Sequence, residues 1–138
     1  MELARGRVLM AGQAEGRVLR LAEPVSFWGG VDPQTSVLTD PRGPAPGVAI
    51  AGRVLVLAQT RGSSSSSAIL LELLRGGRAP AALILAEVDA ILIIGVLVAG
   101  EMGWPTIPVL ELPLAGHAAL DDGRAVSVTE DGAIVAAD

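Results

Sequence analysis

The chain has 138 residues, of which 51% are hydrophobic, and these values favour one domain with a single buried core. It has no cysteine and a single histidine, His117, so disulfides, thiolate metal sites and histidine metal sites are excluded, and a Ser-His-Asp triad is disfavoured. The net charge is −5, and the ten basic residues are scattered arginines, which disfavours nucleic acid as a partner.

The first part of the chain predicts strands followed by a long loop. Residues 6–21 contain two β-like runs around residues 12–16, and we interpret them as a strand pair. Residues 23–47 are rich in Pro, Gly and Asp, with too many breakers for a long strand and too few periodic apolar residues for a helix. Loops of this length tend to be functional or disordered. We expect Asp32 to cap the turn that follows it.

The middle of the chain alternates between apolar strands and helices. Three continuous apolar runs are typical of strands covered on both faces: residues 53–58, 81–86 and 107–112. Two helices are predicted between them, over residues 68–77 and 88–103, with Asp89 as the N-cap of the second. This order of strands and helices implies parallel pairing with right-handed crossovers.

The last part of the chain predicts a short helix and a hairpin. His117 lies in the short helix, where we expect it to be exposed or to cap the helix. Residues 123–128 and 132–137 are predicted to form an antiparallel hairpin. A central parallel sheet with helices on one face and an antiparallel β layer on the other accommodates every element. The predicted fold is therefore α/β, as one domain over residues 1–138.

The most apolar stretch does not predict a membrane span. Residues 90–100 are followed directly by Glu101, and a span needs about 20 apolar residues. The first ten residues contain no apolar core of signal-peptide length. We therefore expect a cytoplasmic protein with a buried helix at this position and no membrane partner.

Five consecutive serines, residues 63–67, lie between the first apolar strand and the first predicted helix. Ligands of open α/β sheets bind at the carboxyl ends of the strands, where a helix N-terminus offers free N–H groups and partial positive charge. Serines at this place can simply form a turn and cap the helix. The alternative is that Ser63 and Ser64, after Gly62, bind an anion, or that a serine alkoxide stabilised by Arg61 removes a proton.

The order Gly62-Ser63-Ser64 between a strand and a helix resembles the swivel domain of aconitase-type hydro-lyases. Four segments taken together resemble the aconitase X small subunit, or swivel-domain, family over most of the chain: residues 26–41, 50–64, 70–85 and 86–95. The resemblance implies a single swivelling β/β/α domain. It also implies a heteromer with a large subunit that carries an iron–sulfur cluster, while this chain alone binds neither cluster nor metal.

The same resemblance implies a function. Members of the family dehydrate cis-3-hydroxy-L-proline or mevalonate 5-phosphate, so we expect a hydro-lyase subunit that acts on a small hydroxy acid and is inactive without its large subunit. Ser63 corresponds to the family's proton acceptor. In aconitase proper an arginine and a glutamate follow the two serines, whereas here Ser65 and Ser66 stand in those places. The substrate-binding arginine of that pattern is therefore absent, and Arg61 is the candidate to replace it.

We predict that Arg61, Gly62 and Ser64 bind the substrate beside Ser63. The all-arginine composition is typical of GC-rich genomes and favours cis-3-hydroxy-L-proline as the substrate. Two alternatives remain open, namely a small subunit that acts on mevalonate 5-phosphate and a swivelling interaction module without catalytic function.

The adjacent aromatics of the long loop have two interpretations. Phe27 and Trp28 precede the pair Gly29-Gly30, and Trp104 is the only other aromatic residue. Core filling beneath the loop explains both side chains. Because aromatics are so scarce, we favour a role for Trp28, Gly29 and Gly30 in lining the site or the seam between subunits.

Overall fold

The structure is a computed structural model that describes residues 1–61 and 64–137. Within these residues it has eight strands: β1 (Glu2–Arg5), β2 (Arg7–Met10), β3 (Ala14–Leu21), β4 (Val54–Leu57), β5 (Ala82–Leu85), β6 (Val109–Glu111), β7 (Ala125–Val128) and β8 (Ala133–Ala136). The three helices are α2 (Ser66–Arg75), α3 (Ala90–Glu101) and the short α4 (Leu114–His117), and the segment α1 (Phe27–Gly30) is a turn, since Trp28 and Gly29 do not have helical backbone angles. Helix α2 begins two residues before the predicted start, because the last serines of the run are helical.

The strands form one mixed sheet in the order β1-β8-β7-β3-β4-β5-β6-β2. The neighbours β3, β4, β5 and β6 pair in parallel, which confirms the pairing predicted from the alternation of strands and helices. All other neighbours are antiparallel. The predicted hairpin is the pair β7–β8, in which Val128 faces Ile134.

The strands at the N-terminus do not pair with each other, so the predicted strand pair is wrong. Instead β1 pairs with β8, β2 pairs with β6, and β3 lies between β7 and β4. β1 and β2 are consecutive pieces of one extended segment that is interrupted at Gly6, whose N–H donates to the Gly132 carbonyl at 2.9 Å. This segment therefore contributes both edge positions of the strand order, with β1 at one end of the sheet and β2 at the other. The apolar pattern identifies strands, but it does not identify their partners.

Two apolar cores lie on opposite faces of the central strands. Along β4, Leu55 and Leu57 belong to the core beneath α2 and α3, whereas Val54 and Val56 belong to the core shared with β7 and β8. Because both faces of β4 are covered, all four of its residues are apolar and buried. This arrangement confirms the predicted layers, with helices on one face and antiparallel strands on the other.

The helix α3 begins at the predicted cap. Asp89 Oδ1 accepts hydrogen bonds from the N–H groups of Ile91 and Leu92, at 3.0 and 3.3 Å. The expectation that this helix is buried holds for one face only, since Leu97 is 49% exposed on the other. Within the described residues no helix combines the length and the apolar character needed to cross a membrane.

His117 is buried, so the expectation of an exposed or capping side chain is wrong. Only 4% of the residue is exposed, and its Nε2 lies 2.9 Å from the carbonyl oxygen of Leu112. Because a carbonyl can only accept, Nε2 carries the proton in this contact. Burial lowers the pKa of His117 below its usual value of 6.5, and the nearby Arg20 guanidinium lowers it further. The single histidine thus ties α4 to the end of β6.

We expect His117 to make the fold less stable in mild acid. Its pKa is lower in the folded chain, so the unfolded chain binds the proton more readily and protonation favours unfolding. The loss of stability starts near the unfolded pKa of about 6.5 and grows until the pH reaches the folded pKa. Tm should fall less steeply with decreasing pH in His117→Gln, whose amide can still donate to Leu112. Parallel Tm profiles for the two proteins would contradict this assignment.

Candidate functional site

The loop over residues 23–47 is packed and not disordered. Three isolated bridges hold it in place: Val25 with Thr60, Val31 with Leu38, and Val37 with Ala49. Apolar side chains of this loop, among them Phe27 at 1% exposure, enter the core beneath α2. The breakers that prevent a long strand or helix therefore do not prevent a fixed conformation.

Asp32 caps its turn as predicted. Its Oδ1 accepts from the N–H of Gln34 at 2.8 Å and from the N–H of Thr35 at 3.4 Å. The backbone N–H of Ser36 closes the same turn by donating to the Asp32 carbonyl at 2.7 Å. Asp32 therefore has a structural role, which agrees with the interpretation from sequence.

The long loop lies against the segment that follows β4. Val25 bridges to Thr60 in parallel, and the N–H of Arg61 donates to the Val25 carbonyl at 2.9 Å. Thr60 is held from the other side as well, since its Oγ1 donates to Asp89 Oδ2 at 2.6 Å. The residues that lead into the serine run are thus fixed between the loop and the start of α3, at the carboxyl ends of the parallel strands.

A cavity of about 640 Å³ opens where these segments meet. Four of the predicted site residues line it: Trp28, Gly29, Gly30 and Arg61. Ser64 lies in the turn before α2, exposed, and does not line the cavity. The predicted residues Gly62 and Ser63 fall outside the described residues. The structure therefore brings together two segments that the sequence separates by some 30 positions.

Adjacent aromatic residues point in opposite directions. Phe27 fills the core, whereas Trp28 is 57% exposed at the cavity. The N–H of Trp28 donates to the buried Ser66 Oγ at 3.4 Å, and Ser26 Oγ donates to the Trp28 carbonyl at 3.0 Å. Gly29 follows with φ +79°, a left-handed conformation that favours glycine. Core filling is therefore correct for Phe27 and wrong for Trp28.

Arg42 is a site residue that the sequence analysis missed. It lines the same cavity as Arg61, and its backbone N–H donates to Asp40 Oδ1 at 2.9 Å in a tight turn. Both arginines are exposed, and among the described residues neither belongs to an ion pair. The only signal for Arg42 in the sequence is that it is an arginine within a long loop that was predicted to be functional or disordered.

The cavity carries charges of both signs. Arg42 and Arg61 supply two positive charges, while Glu23 and Asp40 supply two negative charges. Such a site suits a ligand with an anionic group and a cationic group better than a ligand with two anionic groups.

The side chains that the structure describes do not fit a metal centre. Iron–sulfur clusters are held mainly by cysteine thiolates, and the chain has no cysteine. Across residues 1–61 and 64–137 there is also no cluster of three or more His, Cys, Asp or Glu side chains that could hold a metal ion. Ligands for a cluster would have to come from outside this chain.

Parallel strands between a helical layer and an antiparallel layer, with a cavity at their carboxyl ends beside Arg61, define a swivelling β/β/α domain. The family model described as aconitase X swivel domain matches residues 3–137. The chain belongs to this family, which confirms the resemblance found in the sequence.

Relatives and solved structures agree with this assignment. A cis-3-hydroxy-L-proline dehydratase of Pseudomonas aeruginosa is 42% identical over 125 residues, which cover 86% of this chain and 22% of that protein. A phosphomevalonate dehydratase small subunit of Thermococcus kodakarensis is 33% identical over 129 residues, which cover 93% of this chain and 97% of that protein. The crystal structure of Thermococcus kodakaraensis aconitase X superposes with a TM-score of 0.85 at 31% identity, covering 97% of each chain. The chain thus spans about a fifth of the hydroxyproline dehydratase that it matches.

Proposed function

We propose that this chain is the small subunit of an aconitase X-type hydro-lyase that dehydrates a small hydroxy acid at a site shared with a large subunit. Family membership and the dehydratase names of its relatives support this proposal. A cavity at the carboxyl edge of the parallel strands, lined by Arg61, supports it independently. We expect the complex in the cytoplasm.

The observation that carries the choice of substrate is the mixed charge of the cavity. At neutral pH, cis-3-hydroxy-L-proline has a carboxylate for Arg42 or Arg61 and a protonated ring nitrogen for Glu23 or Asp40. Mevalonate 5-phosphate has a carboxylate and a phosphate but no cation, so the two acidic residues would repel it. We therefore favour cis-3-hydroxy-L-proline. Mevalonate 5-phosphate is the second candidate because several relatives are named phosphomevalonate dehydratase small subunit.

In the proposed reaction Ser63 accepts a proton from the substrate. Its alkoxide takes the proton from the carbon beside the carboxylate, the C–H electron pair forms a C=C bond, and the C–O bond to the hydroxyl breaks. The hydroxide leaves and becomes water on gaining a proton. Arg61, two positions before Ser63, and the N-terminus of α2 would stabilise the alkoxide, which is otherwise too basic to persist.

Other residues of the chain would hold the substrate and limit water. Trp28, more than half exposed at the cavity, offers an apolar surface over a bound ring. Gly62 would contribute a backbone contact beside Ser63, and the exposed Ser64 hydroxyl would contact the part of the substrate that extends out of the cavity. We assign the iron–sulfur cluster to the large subunit, because this chain has no cysteine to bind it.

Reconstitution tests the proposed function. The chain purified alone should be folded, colourless and inactive, and activity should appear when the large subunit is added. Dehydration of cis-3-hydroxy-L-proline and of mevalonate 5-phosphate is followed by NMR in parallel samples. Turnover by the isolated chain would refute the shared site. Turnover of mevalonate 5-phosphate alone would select the second candidate, and turnover of neither would favour an interaction module without catalysis.

A further inference from the structure

One exposed face of α3 is apolar along its whole length. Four large side chains form it, spaced as i, i+3, i+4 and i+8, and each is 39–56% exposed: Ile94, Leu97, Val98 and Met102. We call these four residues the α3 stripe. Exposed helix faces are normally polar, and a contiguous apolar surface on a small domain marks an interaction site.

The stripe is a second apolar face and not a misplaced core face. The opposite side of α3 already packs in the core through Leu92, Val96 and Ala99. Gly95 fixes the orientation of the helix, since a Cβ there would lie only 3.0 Å from the Ser67 carbonyl oxygen of α2. Rotating the helix to bury the stripe would lose this close approach. The stripe therefore stays uncovered in the isolated domain.

The helix that carries the stripe begins at the edge of the domain that bears the cavity. Asp89, the N-cap of α3, accepts from Thr60, which directly precedes the cavity residue Arg61. Val88, which directly precedes Asp89, is a further apolar side chain at this edge and is 45% exposed. From there α3 runs for about 18 Å, given its twelve residues and a rise of about 1.5 Å per residue. A protein that covers the cavity from this side would meet the stripe.

The charges around the stripe help to distinguish two partners that could cover it, a second copy of this chain and a different protein. Residues 79–123 contain neither lysine nor arginine, and the exposed acids Glu87 and Glu101 flank the two ends of α3. A second copy docked antiparallel through a two-fold axis would bring Glu87 of one copy towards Glu101 of the other, and these like charges repel. A different chain with an apolar groove and basic groups at its rim is complementary.

We propose that the α3 stripe is the surface on which the large subunit of the dehydratase docks. This inference rests on the proposed function, which supplies the large subunit. The hydroxyproline dehydratase of Pseudomonas aeruginosa supports the choice, because the match to this domain covers only 22% of its length, so that dehydratase chain contains much more than this domain. Docking there would hold the cavity edge, through Val88 and Asp89, against the large subunit.

The test compares Leu97→Lys with Ala51→Lys in binding to the purified large subunit. Leu97 is at the centre of the stripe. Ala51 is exposed in the turn before β4, at the amino ends of the parallel strands, whereas the cavity lies at their carboxyl ends. Leu97→Lys should raise the Kd at least about 30-fold, the size of an interface hot spot, while Ala51→Lys should leave it within about threefold. Both variants should keep the Tm of the wild-type chain, since both side chains are exposed.

Hydrogen exchange gives a second readout that needs no substitution. Amides of α3 in the wild-type chain should exchange more slowly once the large subunit is added. If Leu97→Lys binds the large subunit with unchanged affinity, and the α3 amides exchange at an unchanged rate in the complex, the α3 stripe is not the docking surface. A stable complex of the wild-type chain with the large subunit would still support the proposed function in that case. Separate elution of the wild-type chain and the large subunit would overturn both. A wild-type homodimer that Leu97→Lys dissociates would assign the stripe to a second copy instead.

Discussion

Replacing Ser63 by alanine is expected to lower the kcat of the assembled enzyme by at least about 10²-fold, the low end of the range for a positioned acid or base. Alanine cannot accept the substrate proton, whereas the contacts that bind the substrate come mainly from other residues. KM should therefore change much less than kcat. The measurement is steady-state dehydration of cis-3-hydroxy-L-proline by the complex, together with the Tm of each variant.

The neighbouring serines provide matched controls within the same run. Ser65→Ala and Ser67→Ala should change turnover little, because Ser65 stands at the N-cap position of α2 and Ser67 Oγ donates to the Ser64 carbonyl at 3.0 Å, so both have local structural roles. Ser66 is not a simple cap, since it is buried at 3% exposure and its Oγ accepts from Trp28. Ser66→Ala should therefore lower the Tm, unlike Ser65→Ala and Ser67→Ala. Equal and small losses of activity at Ser63, Ser65 and Ser67 would return the whole run to a turn-and-cap role.

Replacing either cavity arginine should weaken catalysis, but only Arg42→Ala should show the kinetic pattern opposite to that of Ser63→Ala. Hydrogen bonds to charged groups contribute about 1.5–3 kcal/mol, so Arg42→Ala and Arg61→Ala should each lower kcat/KM by at least about tenfold. For Arg42 the loss should appear mainly in KM, because its proposed contact is with the substrate carboxylate. Arg61→Ala should also lower kcat, since Arg61 is proposed to stabilise the Ser63 alkoxide.

Arg78→Ala is the control for general loss of positive charge. Arg78 is exposed beyond the C-terminus of α2 and does not line the cavity. Its removal should leave both kinetic constants unchanged. A similar loss in Arg78→Ala and Arg42→Ala would show that the net charge of the domain matters and that the cavity arginines have no specific contact.

The layers of the fold were predictable because burial on both faces leaves a clear sequence pattern. The run in β4 is apolar at every position, and β5 repeats this pattern, so the parallel strands could be placed within a residue or two. The N-terminal strands could not be assigned partners in this way. Their pairing depends on β6 and β8, which lie about a hundred positions or more away in sequence.

The site was predictable only where local chemistry marks it. Gly29-Gly30, the aromatic pair and the serine run stand out in composition, and the structure brings Trp28 and Arg61 to one cavity. Arg42 was missed because its place at the cavity depends on how a turn at Asp40 folds back. The exposed face of α3 was missed because a helix that is apolar all round does not reveal which side faces inward.

The pairing of β1 with β8 also sets an order of assembly during synthesis. Glu2 faces Val135, so the first strand of this domain has no partner until almost the whole domain has been translated. The layer built from β4, β5, β6, α2 and α3 needs no residue beyond Glu111 and can pack earlier. Long-range pairing of this kind slows folding, because the chain must close a large loop first. The nascent domain thus completes its helical layer first and seals its second layer last.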